Sequence, residues 1–263
     1  MAVAGGDGTV GKVARRMIGN STPIAVLPMG TANNIANTLG IAEVTVQNLI
    51  RGWKTARCVN VDAGVAKGPW GSQYFVEGFG IGLFAEAMHR IESGKIDELP
   101  DSGRSEHIMN GVLALLKKQL RDGRSVKMTV RLDGKDVSGD YVLLEALNIC
   151  FIGPNLYLVP HADISDGFLD VVFVTRRERA KLGRYLTERL KRKKSRSRSK
   201  LTTRKGRHLQ VEWESSPIHL DDKHWPREKD RVPVRSNAID IKIHPGALVF
   251  LVPKTRKPIP TQS

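Results

Sequence analysis

Cysteine and long apolar segments are scarce in this chain of 263 residues. Its two cysteines, Cys58 and Cys150, offer neither a disulfide framework nor the spacing of a metal site. No apolar run approaches the ~20 residues that span a bilayer, and the N-terminus carries no signal-peptide pattern. We therefore expect no transmembrane helix and no disulfide-rich secreted fold, and a reducing cytoplasm is the default location.

Acidic residues are outnumbered, and the imbalance is local. The chain has 42 Lys and Arg against 27 Asp and Glu, a formal charge of +15. The segment from Arg176 to Arg207 alone holds sixteen of these cations and two acids, which gives 16 − 2 = +14. The basicity therefore belongs to one segment, because the remainder of the chain is close to neutral.

A glycine-rich stretch near the N-terminus organises the rest of the chain. Gly5-Gly6-Asp7-Gly8-Thr9 follows a short apolar run and precedes a helical pattern, which is the order strand, turn, helix. Glycines let the backbone approach a ligand closely, and a helix N-terminus suits a phosphate. Asp7 would repel phosphates unless it acts through Mg²⁺ or on a sugar hydroxyl. A tight turn without any ligand explains the same residues equally well.

A second strand, turn and helix follow directly. Ile24-Ala25-Val26-Leu27 reads as a buried strand, and Pro28-Met29-Gly30-Thr31-Ala32-Asn33-Asn34 reads as a polar turn. Turns at the carboxyl ends of neighbouring parallel strands face one crevice, where open α/β sheets bind ligands. GGDGT followed by PxGTANN resembles the nucleotide-binding half of the diacylglycerol kinase catalytic family, which includes bacterial lipid kinases and sphingosine kinases. NAD kinases and phosphofructokinases carry turns similar to GGDG, so that motif alone is less specific.

The resemblance implies an α/β plus β fold with two lobes. We expect a partial α/β nucleotide-binding lobe at 1–59, a larger β-sandwich-like lobe at 60–253 with a basic insertion at 176–207, and a tail at 254–263. The family's first strand and an Asn-Pro turn would precede residue 1, so we expect the chain to be N-terminally truncated. The nucleotide-binding residues that the resemblance implies are Gly5, Gly6, Asp7, Gly8, Thr9, Val10, Gly11 and Thr31.

The pattern changes near residue 60 from strand–helix alternation to hairpins. Residues 58–65 and 73–77 alternate as paired strands around a turn, which predicts a β-rich domain. Gly80 to Ala85 fits GxGxxA, a dinucleotide fingerprint, but no strand ends in an acid about 20 residues later. We favour close strand–helix packing as the reason for these small residues. The family usually has Asn where this chain has Glu77.

Residues 105–121 form the clearest helical pattern. Its apolar face consists of Ile108, Met109, Val112, Leu115, Leu116 and Leu120. A membrane-facing stripe would have the same spacing. Core packing is the commoner explanation for such a stripe, and we predict it here.

An acidic turn supplies the second diagnostic stretch. Asp163, Asp166 and Asp170 crowd a turn before an apolar strand, and hard cations take oxygen ligands from such loops. An Asp-Gly turn with solvated acids fits the spacing as well. The stretch resembles the lipid-kinase signature, absent from NAD kinases and phosphofructokinases, in which an Asp before Gly binds a structural Mg²⁺. The resemblance implies Asp166 as the side-chain ligand, with carbonyl oxygens from Asp163 and Phe168.

A polar hairpin at 217–226 supplies the third stretch. His219, Asp221, Asp222 and His224 could bind a metal, but a polar turn explains them more simply. In the family this hairpin reads Asp-Gly-Glu, and its Glu is regarded as the general base. Asp221 matches the Asp, whereas Asp222 replaces Gly and Lys223 replaces Glu. An acid at Asp221 or Asp222 would have to accept the proton, since protonated Lys223 cannot.

The basic segment permits three interpretations. Leu182, Tyr185, Leu186 and Leu190 predict an amphipathic helix with a cationic polar side. Sixteen cations are excessive for a solvated loop. Nucleic-acid binding is supported by charge, but no base-stacking aromatics interleave residues 191–200. Attachment to an anionic membrane surface agrees best with a lipid substrate, at about 1 kcal/mol per cation.

The resemblance thus implies an ATP-dependent lipid kinase with Mg²⁺ as cofactor and a diacylglycerol- or sphingosine-like substrate. Asp7, Asp221 and Asp222 are the predicted catalytic residues, and the expected location is the cytoplasmic face of a membrane. The alternatives are a catalytically impaired member that binds membrane or nucleic acid, and an NAD-kinase-like enzyme. The oligomeric state is open, and a dimer is compatible with the sequence.

Overall fold

The computed structural model describes residues 1–93, 105–122, 124–191, 198–214, 216–225 and 238–254. Its strands are β1 (Ala2–Gly5), β2 (Ala25–Pro28), β3 (Arg57–Gly68), β4 (Gly71–Phe75), β5 (Gly78–Gly82), β6 (Val126–Leu132), β7 (Lys135–Asp136), β8 (Gly139–Leu147), β9 (Phe151–Ile152), β10 (Leu156–Tyr157), β11 (Leu169–Thr175), β12 (Thr203–Gly206), β13 (His208–Glu212), β14 (Ile218–Leu220), β15 (Lys223–Trp225) and β16 (Ala238–Val252). Its helices are α1 (Asp7–Met17), α2 (Asn34–Thr38), α3 (Val46–Gly52), α4 (Leu83–Glu92), α5 (Ser105–Arg121) and α6 (Arg179–Lys191), with 3₁₀ turns at Trp53–Thr55 and Arg176–Glu178.

The small lobe is built on two parallel strands. β1 and β2 pair in register from Ala2 opposite Ala25 to Gly5 opposite Pro28, and α1, α2 and α3 surround them. Ile24, just before β2, donates to Val249 O and accepts from Leu251 N, both at 2.8 Å, so the small lobe is fastened to β16. Apolar side chains of α1, α2, β3 and β16 share one core there. The predicted boundary between residues 59 and 60 stays a prediction.

The large lobe is an antiparallel sheet that turns a corner at β6. Residues 126–128 of β6 pair with β8, whereas residues 129–132 pair with β13. A strand that changes neighbours in this way joins the two halves of a sandwich. One half runs β15-β14-β5-β8 with β11 beside β8, and the other runs β13-β16-β3-β4. Buried side chains from both halves form the core between them. The predicted α/β plus β-sandwich-like class is thereby confirmed.

The three longer helices of the large lobe cover the outer face of the β5–β8–β11 half. Leu116 of α5 and Leu182 and Leu186 of α6 are buried in one core with Leu143 and Val172 of the sheet. The amphipathic helix predicted from Leu182, Tyr185, Leu186 and Leu190 is therefore confirmed. None of the described helices is long and apolar enough to cross a bilayer.

The C-terminal strands differ from the sequence prediction. Residues 238–243 and 247–252 alternate like two strands around His244-Pro245-Gly246, but the structure has one strand, β16. Both halves of β16 pair with β3, and the register shifts between His244 and Leu248. The prediction of two strands was wrong because Pro and Gly also occur at β-bulges, where the strand bends without reversing.

Candidate functional site

The two glycine-containing turns of the small lobe lie against each other. Met29 N donates to Gly5 O at 3.0 Å, and Asp7 Oδ1 accepts from Ile35 N at 3.0 Å. A Cβ added at Gly30 would lie 2.3 Å from the Cα of Gly6, so only glycine permits this approach. The crevice expected at the carboxyl ends of β1 and β2 therefore exists. Asp7 is the first residue of α1, and its carboxylate faces the start of α2.

The predicted nucleotide-binding residues divide into two groups. Gly5, Gly6, Asp7, Gly8, Thr9 and Thr31 are partly or fully exposed around this crevice. Val10 and Gly11 are buried, and Val10 N donates to Gly6 O at 3.0 Å inside the first turn of α1. A direct ligand contact is therefore better supported for the first group. The nucleotide assignment itself stays a prediction.

Asp221, at the tip of the β14–β15 hairpin, ties the two lobes together. Its carboxylate accepts from the backbone N–H groups of Val76, Glu77 and Gly78 at 2.8–3.2 Å and forms an ion pair with Arg15 of α1. The side chain of Asp221 is 1% exposed. Its oxygens are thus occupied by donors, which favours a structural role over acceptance of a substrate proton.

Asp222 and Glu77 lie beside Asp221 with fewer partners. Asp222 has a side chain that is 42% exposed, and its Oδ1 accepts from Arg15 Nη2 at 3.4 Å. Glu77 is buried, and its Oε2 accepts from Asn34 Nδ2 at 3.3 Å. We call Asp7, Glu77, Asp221 and Asp222 the cavity carboxyls, because all four line the cavity that follows.

The cavity carboxyls bring more negative charge together than the nearby cation offsets. Burial raises the pKa of Asp7, although backbone N–H donors at the start of α2 act in the opposite direction. Burial, Asp7 and Asp221 hold the pKa of Glu77 well above its ordinary value. Burial also raises the pKa of Asp221, although Arg15 opposes this. In the described residues these four groups pair with a single cation, Arg15, so the site favours a bound cation or proton.

A cavity of about 360 Å³ joins these carboxyls to an apolar surface. One end consists of Asp7, Thr31, Asn34, Glu77, His219, Asp221 and Asp222. The walls are Phe84, Ala87, Met88 and Ile91 of α4, Ile108, Met109, Val112 and Leu116 of α5, and Ile152, Gly153 and Pro154. Such a volume is within the usual range for small-molecule sites. Asn34 Oδ1 is buried without a hydrogen-bond partner among the described residues and could accept from a ligand.

The apolar stripe of α5 serves two purposes. Leu115, Leu116 and Leu120 are buried in the core, as predicted. Ile108, Met109 and Val112 are partly exposed and line the cavity, which the sequence did not reveal. Helical spacing is the same for a core face and a ligand-facing wall, so only the position of α4 distinguishes them.

The glycines of the GxGxxA stretch pack against a neighbouring strand. A Cβ added at Gly80 would lie 2.2 Å from Glu145 Oε1 on β8. Glu145 is fully buried and lies 2.9 Å from His219 Nε2 across β5. A packing reason is therefore supported, as predicted, although the partner is β8 rather than the following helix.

Hydrogen bonds and an ion pair hold a second group of acids in place. We call this group, Asp62, Asp163 and Asp166, the aspartate turn. Asp62 accepts from Gly167 N and Gly246 N, both at 2.7 Å. Asp163 Oδ1 accepts from Ser165 N at 3.0 Å, and Asp166 Oδ1 accepts from Phe168 N at 3.0 Å. Asp166 Oδ2 forms an ion pair with Lys205 of β12.

Lys205 lies beside the magnesium site that the resemblance implies at Asp166, Asp163 and Phe168. Its ammonium group already supplies positive charge to Asp166. In the described ranges no group of three or more His, Cys, Asp or Glu side chains could hold a metal ion. The predicted site has one side-chain ligand and two backbone carbonyls, so the lack of such a group does not test it, and we derive no chemistry from an ion at this turn. The magnesium site stays a prediction.

Three residues of the site were missed by sequence reasoning. Arg15 and Asn34 contact the cavity carboxyls from α1 and α2, and Glu77 of the β4–β5 turn is itself one of these carboxyls. Asn34 belongs to the second turn, and Glu77 departs from the Asn that is usual in the family. Asn34 and Glu77 could therefore have been singled out from the sequence, whereas Arg15 occupies an ordinary position in a helical pattern.

Comparison with solved structures defines the fold. A crystal structure of a diacylglycerol kinase from Bacillus anthracis superposes with a TM-score of 0.63 at 20% sequence identity, covering 96% of this chain and 77% of that one. At this identity the likeness concerns the fold, which is the two-lobe architecture of such kinases.

Comparison with family models defines the family. The "Diacylglycerol kinase catalytic domain" matches residues 1–66, and the "YegS C-terminal NAD kinase beta sandwich-like domain" matches residues 105–252, more than half of the chain. The chain therefore belongs to the diacylglycerol kinase and YegS family, as the three motifs predicted.

Curated relatives agree with this family. A protein named "Diacylglycerol kinase" in Bacillus subtilis is 25% identical over 190 residues, which are 72% of this chain and 59% of the relative. One named "Probable lipid kinase YegS-like" in Stenotrophomonas maltophilia is 30% identical over 182 residues, 65% of this chain and 54% of the relative. The chain thus spans little more than half the length of these relatives.

Proposed function

We propose that the protein is a kinase that transfers the γ-phosphoryl group of ATP to a hydroxyl group of a lipid. The observation that supports this most strongly is the cavity, in which carboxyls at one end meet apolar walls from α4 and α5. A lipid alcohol has the matching distribution of polar and apolar groups. A soluble dinucleotide would leave these walls in contact with polar atoms.

The phosphate groups of the nucleotide would lie at the β1–α1 turn. Gly5, Gly6 and Gly8 are partly exposed there, and the N-terminus of α1 favours negative charge. The neighbouring carboxyls would repel a free triphosphate, so the site suits a nucleotide that carries Mg²⁺, with Asp7 as the residue that would hold it. The ion would supply neutralisation of phosphate charge.

Glu77 is the best-supported proton acceptor in this proposal. The lipid hydroxyl oxygen would bond to the γ-phosphorus, the bond to the ADP oxygen would break, and the hydroxyl proton would pass to a carboxylate. Asp221 has its oxygens occupied, and Asp222 is paired with Arg15. Glu77 accepts from the Asn34 amide and lines the cavity, so its carboxylate would accept the proton in this proposal. Lys223 is exposed and does not line the cavity.

Lipid phosphorylation tests the proposal. The chain is incubated with γ-labelled ATP, Mg²⁺ and mixed micelles of diacylglycerol, monoacylglycerol or sphingosine, with NAD⁺ as the soluble alternative. We expect label in a lipid product, and loss of that label in Asp7→Asn. Label in NAD⁺ alone would favour the hypothesis of an NAD-kinase-like enzyme. No labelled product from a folded chain would refute the kinase proposal and favour the impaired binding member.

A further inference from the structure

The outer side of α6 carries a run of exposed cations. Arg177 of the preceding 3₁₀ turn and Lys181, Arg184 and Lys191 of α6 are exposed and fall at helical spacing. Glu188 is the acid at the same spacing. We call these four cations the basic face.

Few ion pairs neutralise the basic face. Lys181 Nζ lies 3.2 Å from Glu178 Oε1. In the described part of the chain, Arg177, Arg184 and Lys191 have no ion-pair partner. The face therefore presents uncompensated positive charge to its surroundings, which is the pattern that attracts an anionic surface.

The helix that carries the basic face packs against elements that line the cavity. The opposite side of α6, with Leu182 and Leu186, is buried in one core with Leu116, which also lines the cavity. Arg189 Nη2 donates to Asn155 O at 2.9 Å, and Asn155 directly follows Pro154 of the cavity wall. The helix that presents the cations, α6, thus packs in one core with α5, whereas the cavity walls come from α4, α5 and residues 152–154.

We propose that the basic face docks the protein on an anionic lipid bilayer, the kind of surface that holds a lipid substrate. This inference deepens the proposed function by naming the surface on which the protein would act. The lipid substrate rests on the proposed function, whereas the docking itself does not. Lys and Arg near an anionic bilayer each strengthen binding about fivefold. Nucleic acid would also attract the charge, but binding of single strands relies on exposed aromatic platforms. The large hydrophobic side chains exposed in the described residues are Met1, Met29 and Ile50, none of them aromatic.

Vesicle binding with matched variants tests this proposal. The docking variant carries Arg177→Gln, Lys181→Gln and Arg184→Gln, and the control carries Lys127→Gln, Arg131→Gln and Lys135→Gln, three exposed cations of β6 and β7. Co-sedimentation is measured with phosphatidylcholine vesicles with and without phosphatidylglycerol. We expect the docking variant to lose about 100-fold in partitioning to anionic vesicles, the control to lose much less, and neutral vesicles to bind none of the proteins tightly.

Several outcomes would overturn the docking proposal. These are equal losses in the two triple variants, equal binding to neutral and anionic vesicles, and tight binding to a DNA duplex without vesicle binding. Thermal unfolding of both variants verifies the fold, and the single change Arg184→Glu provides a second test if the triple variant unfolds.

Phosphorylation of a short-chain diacylglycerol, dissolved as monomers, separates the two proposals. We expect kcat/KM for this substrate to be the same in both triple variants and the parent protein. A parent protein that docks on vesicles but phosphorylates no lipid would refute the kinase function alone. One that phosphorylates the monomeric lipid but shows no preference for anionic vesicles would refute docking alone.

Discussion

The cavity carboxyls and the aspartate turn are two acidic clusters that differ in what surrounds their oxygens. In the aspartate turn, backbone N–H groups and Lys205 satisfy the carboxylates, and the cluster holds β3, β12 and β16 to one turn. Among the cavity carboxyls, Asp221 accepts from three backbone N–H groups, and Asp7 accepts from Ile35 N. Glu77 and Asp222 line the cavity with one side-chain donor each, Asn34 at 3.3 Å and Arg15 at 3.4 Å.

The difference teaches that acidic spacing alone does not identify a reactive site. Each cluster contains one Asp-Gly pair, Asp7-Gly8 or Asp166-Gly167, and both were candidates for Mg²⁺. Burial raises the pKa of carboxyls in both clusters, Asp62 and Asp221 included, so the clusters differ in how many donors hold their oxygens. Carboxylates held by several donors contribute to folding, whereas a carboxyl with few donors can exchange a proton with a ligand. Substitutions in the two clusters should therefore affect different properties.

The largest difference is expected in catalysis. Glu77→Gln keeps the shape of the side chain but removes the proton acceptor, so we expect kcat for lipid phosphorylation to fall by about 100-fold or more with little change in KM. Asp163→Asn, in the aspartate turn, should leave kcat within about twofold of the parent value, since it removes only a local turn contact. Steady-state kinetics with both variants would contradict this account if Asp163→Asn lost more activity than Glu77→Gln.

A second difference is expected within the cavity carboxyls. Asp221→Ala leaves Arg15 and three backbone N–H groups without their buried acceptor, so we expect the free energy of unfolding to fall by about 3–5 kcal/mol. Asp222→Ala removes a half-exposed group and should cost about 0.5 kcal/mol or less. Urea denaturation of both variants measures this, and equal losses would show that Asp221 is not the link between the lobes.

The third prediction concerns Lys205 in the aspartate turn. Lys205→Met removes the positive charge beside Asp166, so we expect the melting temperature to fall and to recover when Mg²⁺ is added. The parent protein should melt at the same temperature in Mg²⁺ and in EDTA. If the parent protein gained as much from Mg²⁺ as the variant, the magnesium site predicted at Asp166 would be supported and our interpretation of Lys205 would be wrong.

The smallest effect is expected at the cysteines. Cys150 donates its thiol to Ala162 O, beside the aspartate turn, and burial raises the pKa of this thiol to about 12. Cys58 is exposed. Since the thiolate is the reactive form, we expect a disulfide reagent to modify one thiol rapidly and Cys58→Ser to abolish this phase. Rapid modification of both thiols would mean that the aspartate turn opens readily.

Much of the fold could be predicted because its signals are local. The apolar stripe of residues 105–121 gave the bounds of α5, and Asp133-Gly134, both with positive φ, gave the β6–β7 turn. The turn at Asp221 and Asp222 was likewise predicted as a hairpin. These patterns depend on residues within a few positions of one another.

The composition of the site could not be predicted to the same extent, because its contacts are distant in sequence. Arg15 and Asp221 are separated by 206 positions, and Asn34 and Glu77 by 43. Lys205 reaches Asp166 only because β12 pairs with β11. No local pattern indicates which acid is paired with a cation and which remains available.

The central claim is that the cavity holds the apolar part of a lipid while the carboxyls act on its hydroxyl. The most direct measurement is kcat/KM for phosphorylation of glycerol and of monoacylglycerols of increasing chain length, each below its aggregation limit. The account predicts that kcat/KM rises with each added methylene until the walls formed by α4 and α5 are covered, since each buried methylene contributes about 0.8 kcal/mol. Equal kcat/KM for glycerol and for the longest chain would contradict it.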